Sequence, residues 1–160
     1  MINVAVVGAA SCGLATAALA EQVGAALADA GAVLITGGRG GVMEAACRGA
    51  RGRGGVTVGL LPGDDRSDAN SYLTVALPTG LGIARNALVI KAADVVIAVA
   101  GGFGTLSEIA MALKEGLPVV GVGTWEAVSP VGEQVPLHRA QGATEAVALA
   151  LRLAAKRGRP

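Results

Sequence analysis

The sequence predicts a Rossmann-like α/β fold, in which a mainly parallel sheet carries helices on both of its faces. Two observations support this prediction. Short apolar runs alternate with segments of helical periodicity almost from one end of the chain to the other. These runs are continuous, which is typical of parallel strands that are buried on both faces. A glycine content of 25 in 160 residues supplies the turns that such an alternation needs.

The predicted elements follow one another in a regular order. Strands are expected at residues 2–7, 33–35, 56–61, 94–99 and 118–122. Helices are expected within 14–30, near 41–51, at about 82–92, from 105 to about 116 and at 144–155. The stretch after residue 61 is expected to be a polar loop. Gly116 and Pro118 provide the stop signal for the fourth helix.

The chain contains neither a visible domain linker nor an internal repeat, so residues 1–160 are expected to form a single domain. The basic end at 156–160 is expected to be a flexible, solvated tail. Helix faces rich in Ala and Leu suggest a homodimer or a higher homo-oligomer. Antiparallel pairing of the first strand with the second, or with the strand at 94–99, would contradict the predicted fold.

Composition argues against a membrane protein and against a nucleic-acid partner. The longest apolar runs end well before the roughly 18 residues of a membrane helix, and no basic region precedes the first run as in a signal peptide. The formal net charge is +1, and Tyr72, Phe103 and Trp125 are scattered along the chain. Cys12 and Cys47 lack metal-type partners at useful spacing, so they suggest reduced thiols, a cytoplasmic protein and no metal site.

The most informative stretch is the glycine turn at residues 100–105. It follows the apolar run at 94–99 and opens a helix whose apolar positions recur at i, i+3, i+4 and i+7 from Leu106. A strand that passes through glycines into a helix N-terminus presents free backbone N–H groups and the positive end of the helix dipole. We therefore expect this turn to bind an anion such as a phosphate.

Further glycine-containing turns follow the first and second predicted strands. In sheets of this type, ligands bind beyond the carboxyl ends of the strands, where such turns meet. Two double-glycine turns at matching positions favour one shared phosphorylated ligand over two unrelated short loops. The residues expected around this ligand are Gly8, Ser11, Gly37, Gly38, Arg39, Gly40, Gly41, Asn86, Gly101, Gly102, Phe103, Gly104 and Thr105. Residues 37–41 are expected to face the 101–105 turn across a crevice.

The common nucleotide-binding motifs do not occur in this chain. The turn from Gly8 to Gly13 lacks the G-x-G-x-x-G arrangement, and no acidic residue ends the second strand to hold a ribose. No G-x-x-x-x-G-K-[ST] sequence occurs either. An ordinary dehydrogenase and a P-loop NTPase are therefore excluded.

Glu108 has a structural and a functional interpretation. Thr105 and Glu108 have the spacing of a capping box, in which Thr105 caps the helix and Glu108 reaches back to the N–H of the cap. A carboxylate would repel a phosphate, so Glu108 is not a phosphate ligand. It could hold ribose hydroxyls instead. The two roles are compatible, because capping uses a single carboxylate oxygen.

Arg85 lies in the first turn of a predicted helix, where a positive charge opposes the helix dipole. It is either an exposed arginine at a helix end or a group that binds phosphate beside the Glu108 turn. Arg39, between glycines, could clamp an anion or be solvated. Met43 is expected to pack within its helix rather than contact the ligand.

Residues 36–44 (TGGRGGVME) and 101–108 (GGFGTLSE) together resemble the paired signatures of the LOG (Lonely Guy) superfamily, whose members were often labelled lysine decarboxylases. The resemblance spans roughly residues 2–125. Ala100 stands where LOG enzymes have a proline, and Glu44 stands where they have a glycine. With the short length and the Thr124-Trp125 pair, these departures look closer to a bacterial branch related to DNA-processing proteins and to molybdenum cofactor carriers.

The resemblance implies two alternative functions for the same phosphate site. LOG enzymes are phosphoribohydrolases, which cleave the N-glycosidic bond of a nucleoside 5′-monophosphate, and by likeness Arg85 and Glu108 would be the catalytic residues. The alternative is a non-catalytic carrier that holds molybdenum cofactor, a phosphorylated pterin. In neither case is a further cofactor required, because the nucleotide or the molybdenum cofactor is itself the bound ligand.

Overall fold

The computed structural model describes residues 1–158. Within them the strands are β1 (Asn3–Gly8), β2 (Val33–Thr36), β3 (Thr57–Leu61), β4 (Val75–Pro78), β5 (Val95–Val99), β6 (Val119–Val122) and β7 (His138–Arg139). The helices are α1 (Leu14–Asp29), α2 (Val42–Gly52), α3 (Asn86–Lys91), α4 (Phe103–Lys114) and α5 (Ala143–Arg157). A 3₁₀ turn at Gly82–Arg85 leads directly into α3.

The strands of the described chain form one seven-stranded sheet in the order β4-β3-β2-β1-β5-β6-β7, and every neighbouring pair is parallel. The predicted Rossmann-like fold is therefore confirmed. β1 pairs with β2 on one side and with β5 on the other, so that Val4 is opposite both Leu34 and Val95. From β1 the strand order runs through β2 to β4 on one side and through β5 to β7 on the other. At such a reversal a crevice opens, here at the carboxyl ends of β1 and β5.

The sheet separates two apolar layers. On one face, Val4 and Val6 of β1 pack with residues of α1, α2 and α5. On the other face, Ala5 and Val7 pack with residues of α3 and α4. Every residue of β5 is buried, as continuous apolar strands of parallel sheets require.

The sequence does not predict the short strands β4 and β7, and β4 lies where a polar loop is expected. Both strands are at the edges of the sheet, where one side of the backbone is unpaired. Val75 and Leu77 of β4 are exposed, and β7 contains only two residues. β7 is too short to show a pattern, and the apolar run Val75-Ala76-Leu77 of β4 ends at Pro78 and lacks the burial of the central strands.

Three helix boundaries differ from the predicted ones. α4 begins at Phe103 rather than at Thr105. The segment expected to be one helix at 82–92 begins with the 3₁₀ turn. α5 continues to Arg157, whose Nη1 donates a hydrogen bond to the carbonyl of Gly116, so Lys156 and Arg157 are helical and not part of a tail. The rest of the expected tail beyond Gly158 lies outside the described residues.

α1 and α2 pack at backbone distance because each contributes a glycine to the crossing. A Cβ atom on Gly24 of α1 would collide with the carbonyl of Ala46, and a Cβ atom on Gly49 of α2 would collide with the carbonyl of Glu21. Arg48 joins the two helices through its hydrogen bonds to Glu21, at 2.8 and 3.1 Å. This tight pair covers one face of the sheet. No helix within residues 1–158 is long and apolar enough to cross a membrane.

Candidate anion-binding site

A pocket of about 620 Å³ lies at the carboxyl ends of β1, β3 and β5, where the fold predicts a ligand site. Its volume is in the range of small-molecule sites, roughly 300–1,000 Å³. Turns after the strands, the 3₁₀ turn and the first turns of two helices form its walls. The lining residues are Gly8, Ala9, Ala10, Arg39, Met43, Pro62, Gly82, Ile83, Arg85, Asn86, Gly102, Gly104, Thr105 and Glu108.

The N-terminus of α4 forms one wall of this pocket. Gly102 is the N-cap residue, and within the described chain no side chain caps the helix. The backbone N–H groups of Phe103, Gly104 and Thr105 stand in the first turn, where no preceding turn supplies acceptors. The expected capping box is therefore wrong. Because the helix starts two residues earlier, Thr105 is the third helical residue and is itself buried.

The backbone before α4 has a conformation that excludes proline at the position where LOG enzymes carry one. Ala100 has φ of +48°, the only positive φ of a non-glycine residue in the described chain. Its N–H donates a hydrogen bond to the carbonyl of Val122 at 3.1 Å, and its carbonyl accepts one from Thr124 Oγ1 at 2.6 Å. Proline has φ near −65° and no N–H. The departure from the LOG motif thus has a direct physical reason.

Arg85 lines the pocket and is buried, with 7% of its surface exposed, rather than solvated at a helix end. Its Nη1 donates a hydrogen bond to the carbonyl of Leu60 at 2.8 Å. Its Nε is buried and has no hydrogen-bond partner within residues 1–158. Burial lowers the pKa of the Arg85 guanidinium. The charge of Glu108 raises this pKa, and the charge of Arg39 lowers it. A buried guanidinium with an unsatisfied donor is suited to an anion that enters the pocket.

Glu108 lines the same pocket from the second turn of α4 and is 8% exposed. Burial raises the pKa of its carboxyl group to about 7, and the charge of Arg85 opposes this rise. Among the described residues no ion pair joins the two side chains. Burial therefore outweighs the attraction of the guanidinium, and the carboxyl is close to half protonated at neutral pH.

The loop at 37–41 is packed beside the pocket, and only Arg39 of its residues lines it. A side chain on Gly37 would collide with Nη1 of Arg85, and one on Gly41 would collide with the carbonyl of Ala9. Gly38 packs against Leu61 and Gly40 against the carbonyl of Ala10. These glycines let the loop approach its neighbours closely, so the structure gives them a packing role around the site.

Arg39 is half exposed and lies near a neighbouring acidic side chain. Its Nε is 3.9 Å from Asp68 Oδ2, and its backbone carbonyl accepts a hydrogen bond from Asn70 Nδ2 at 3.0 Å. The backbone is therefore fixed, while the guanidinium keeps only a long contact. Since Arg39 lines the pocket, it is placed to contact an anion there.

The remaining predicted residues divide into two groups. Gly8, Asn86, Gly102, Gly104 and Thr105 line the pocket, whereas Ser11, Gly101 and Phe103 do not. Ser11 is exposed in the turn after β1, and Phe103 is exposed at the start of α4.

Several lining residues are not among those expected to contact the ligand, although Ala9, Ala10 and Pro62 lie in turns after strands. Ala9, Ala10, Pro62, Gly82 and Ile83 carry no chemical signal, and only their neighbourhood in the fold brings them to the pocket. Met43 is buried as expected of a packing residue, but it also lines the pocket.

The two cysteines lie outside the pocket lining. Cys47 is fully buried in α2, and burial raises the pKa of its thiol to about 12. Its side chain belongs to the apolar layer that includes α1, α2 and α5. Within residues 1–158 no group of three or more His, Cys, Asp or Glu side chains is close enough to hold a metal ion.

The parallel sheet, with an uncapped helix N-terminus and a buried arginine at one pocket, defines a Rossmann-like protein with a candidate anion site. The chain belongs to the SLOG cluster4 family, whose sequence model matches residues 1–150. A protein of Archaeoglobus fulgidus is 43% identical to it over 116 residues, which are 72% of this chain and 76% of the relative.

Solved structures support the suspected branch. The molybdenum cofactor carrier protein of Chlamydomonas reinhardtii is 33% identical, with a TM-score of 0.84 over 97% of this chain and 99% of that one. The molybdenum cofactor binding protein of Rippkaea orientalis is also 33% identical, with a TM-score of 0.81 over 95% of each chain. DNA processing protein A of Streptococcus pneumoniae is 19% identical, with a TM-score of 0.70 over 92% of this chain and 61% of that one, and shows the shared fold alone.

Proposed function

We propose that this protein binds molybdenum cofactor in the pocket at the N-terminus of α4 and acts as a carrier for it. The observation that carries the proposal is the buried Arg85, which lines the pocket together with the first turn of α4 and has a buried Nε without a hydrogen-bond partner in the described chain. Together these groups offer a guanidinium and backbone N–H donors to the phosphate of the ligand. The 33% identity to a carrier and a binding protein of this cofactor supports this choice of ligand.

The test compares cofactor retention by the wild type and by Arg85→Met. Each protein is loaded anaerobically with molybdenum cofactor and passed through gel filtration, and the molybdenum retained per chain is measured. A lost charge-assisted contact to phosphate corresponds to a fall in affinity of about ten- to a hundredfold. Arg152→Met, on the exposed surface of α5, is the matched control and should retain cofactor normally. Equal retention by the wild type and Arg85→Met would contradict the proposal.

A second candidate is hydrolysis of the N-glycosidic bond of a nucleoside 5′-monophosphate. The observation in its favour is Glu108, a carboxyl group with a pKa of about 7 that lines the same pocket as Arg85. A group half protonated at neutral pH can give or take a proton, or it can hold ribose hydroxyls. The resemblance to LOG enzymes points to the same pair of residues.

A panel of nucleoside monophosphates separates the two candidates. A carrier releases no base from any of them. An enzyme releases base and ribose 5-phosphate in equal amounts, and Glu108→Gln abolishes the release while the nucleotide still binds. Turnover by the wild type would replace the carrier proposal with the enzyme.

A further inference from the structure

Two of the three aromatic residues of this chain meet at the edge of the pocket. The sequence contains one Phe, one Trp and one Tyr. The rings of Phe103 and Trp125 have centroids 5.5 Å apart and planes tilted by 35°. Such a separation is typical of aromatic side chains in direct contact. Residues that are 22 positions apart in the sequence thus form one surface, which we term the aromatic ledge (Phe103 and Trp125).

The ledge is continuous with the candidate anion site. Phe103 is the first residue of α4, and its neighbours Gly102 and Gly104 both line the pocket. Trp125 Nε1 donates a hydrogen bond to the carbonyl of Gly102, the N-cap residue, at 3.0 Å. A group resting on the ledge is therefore adjacent to the backbone N–H groups of the first turn.

The ledge is held in place before any ligand arrives. Arg139 Nη2 donates to the carbonyl of Trp125 at 2.8 Å, in addition to the bond from the indole to Gly102. The other side of Trp125 packs against the core layer that contains α4. Phe103 nevertheless leaves 81% of its surface exposed. A fixed indole with a phenyl ring in solvent, beside a pocket that contains a buried arginine, is suited to a flat apolar group.

We propose that the aromatic ledge stacks against the planar ring of a heteroaromatic ligand whose phosphate is held at the N-terminus of α4. The inference rests on the proposed function and deepens it, because it places the ring of the ligand on the β6 side of the phosphate. The alternative wall, formed by Met43, Pro62 and Ile83, is aliphatic. Ring–aromatic stacking is worth more than aliphatic contact for a flat heterocycle, with little dependence on the ring's substituents.

The single tryptophan makes the proposal directly measurable. The ring-bearing probes are molybdenum cofactor and guanosine 5′-monophosphate, and the ringless probe is ribose 5-phosphate. Stacking beside Trp125 should change the intrinsic fluorescence with the ring-bearing probes and leave it nearly unchanged with ribose 5-phosphate.

Matched variants then identify the wall that the ring contacts. Phe103→Ala should weaken binding of the ring-bearing probes about five- to a hundredfold, the range of a lost stacking contact, and leave ribose 5-phosphate unaffected. Ile83→Ala removes an equally exposed side chain from the opposite wall and should have a smaller effect. Val131→Ala, an exposed position outside the pocket lining, controls for the loss of surface apolar area.

The outcomes separate this inference from the proposed function. If Phe103→Ala binds all three probes as the wild type does, or if only Ile83→Ala weakens the ring-bearing ones, the ledge proposal is overturned and the phosphate site stands. If Phe103→Ala changes the sedimentation coefficient and no affinity, the ledge is a self-association surface and the proposal is again overturned. If no probe binds the wild type at all, the proposed function fails together with the ledge.

Discussion

Arg85 depends on a glycine of the neighbouring loop for its position. A Cβ atom at residue 37 would collide with Nη1 of Arg85, the same nitrogen that donates to the carbonyl of Leu60. The φ of Gly37 is not in the left-handed region, so an alanine there is compatible with its backbone. Gly37 therefore leaves space for the guanidinium.

Gly37→Ala should displace Arg85 without unfolding the protein, since the end of a long side chain can move. We expect binding of inorganic phosphate to fall about tenfold, towards that of Arg85→Met, because the charge-assisted contact is lost. Isothermal titration calorimetry measures the change. Gly63→Ala, where nothing lies near the added methyl group, is the control and should bind normally. Normal binding by Gly37→Ala would contradict this account of Arg85.

Ala100, beside the candidate site, has a strained backbone conformation with a positive φ. A left-handed conformation costs a non-glycine residue about 1 kcal/mol, so Ala100→Gly should raise the free energy of unfolding by roughly that amount. Ala100→Pro requires a φ that the turn does not have and removes the hydrogen bond to Val122, so it should lower stability by about 3 kcal/mol or more. Urea denaturation measures both. A proline variant as stable as the wild type would show that the turn has a different conformation.

Glu108 should make stability depend on pH. Its pKa is about 7 in the folded protein and close to 4.5 in the unfolded chain, so the folded state holds the proton more tightly. A pKa raised by folding gives stability that is complete below the unfolded value and lost as pH rises through the folded value. The wild type should therefore lose about 3 kcal/mol between pH 4.5 and about pH 8 through this group.

The Glu108→Gln variant lacks this titration and isolates its effect. The difference in free energy of unfolding between the variant and the wild type should move in favour of the variant as the pH rises. Chemical denaturation at several pH values measures it. A difference that stays constant with pH would mean that the Glu108 carboxyl titrates normally.

At the scale of elements, the crossing of α1 and α2 is the most constrained contact. Gly24 and Gly49 each face a backbone carbonyl of the other helix, so neither can accept a methyl group without separating the helices. This pair forms much of one apolar layer on the sheet. α2 also carries Met43 into the pocket, so its position matters to the site.

Gly49→Ala should lower the free energy of unfolding by about 1–3 kcal/mol, the usual effect of overpacking. Gly52→Ala, in the last turn of the same helix with open space around it, is the matched control. It should be neutral or stabilise the protein by roughly 0.5–1 kcal/mol, because alanine favours a helix over glycine. If Gly49→Ala lowers the free energy of unfolding and Gly52→Ala does not, close packing at the helix crossing is the cause. Equal changes in stability for the two variants would disprove it.

At the scale of the whole molecule, self-association stays a prediction. Three exposed apolar residues lie close together in the sequence: Leu81 just before the 3₁₀ turn, Ile83 within it and Leu88 in α3. Covering them in a homodimer would remove this apolar surface from water. We expect sedimentation velocity at micromolar concentration to give a species larger than a monomer, and Leu88→Glu to shift it towards the monomer. Val131→Glu, the control, should not shift the species towards the monomer. A wild type that sediments as a monomer would contradict the expectation.

The expectation that the chain does not bind nucleic acid also remains to be measured. It rests on a net charge of +1 and few aromatic residues. DNA processing protein A of Helicobacter pylori, which shares this fold and is 20% identical to this chain, binds single-stranded DNA. Identity at that level shows the fold alone, so it does not assign DNA to this chain.

The sequence by itself determines the central strands, the helices between them and the parallel class of the sheet. These depend on local apolar periodicity, which the run at 94–99 and the helix after it display clearly. The glycine turn at 100–105 is equally local, because a strand, glycines and a helix occur in one continuous stretch. A helix does begin in this turn and its first residues line the pocket, whereas the capping box expected of Thr105 and Glu108 does not form.

Only the tertiary structure decides how distant segments meet. The edge strand β4 has a short apolar run, Val75-Ala76-Leu77, but only its pairing with β3 shows that this run joins the sheet. The guanidinium of Arg85 is held between Gly37 and the carbonyl of Leu60, both distant in sequence. Phe103 meets Trp125 because β5 and β6 are neighbours. The physical reason is that periodicity and capping act over a few residues, whereas strand order brings together side chains whose separation in the sequence carries no signal.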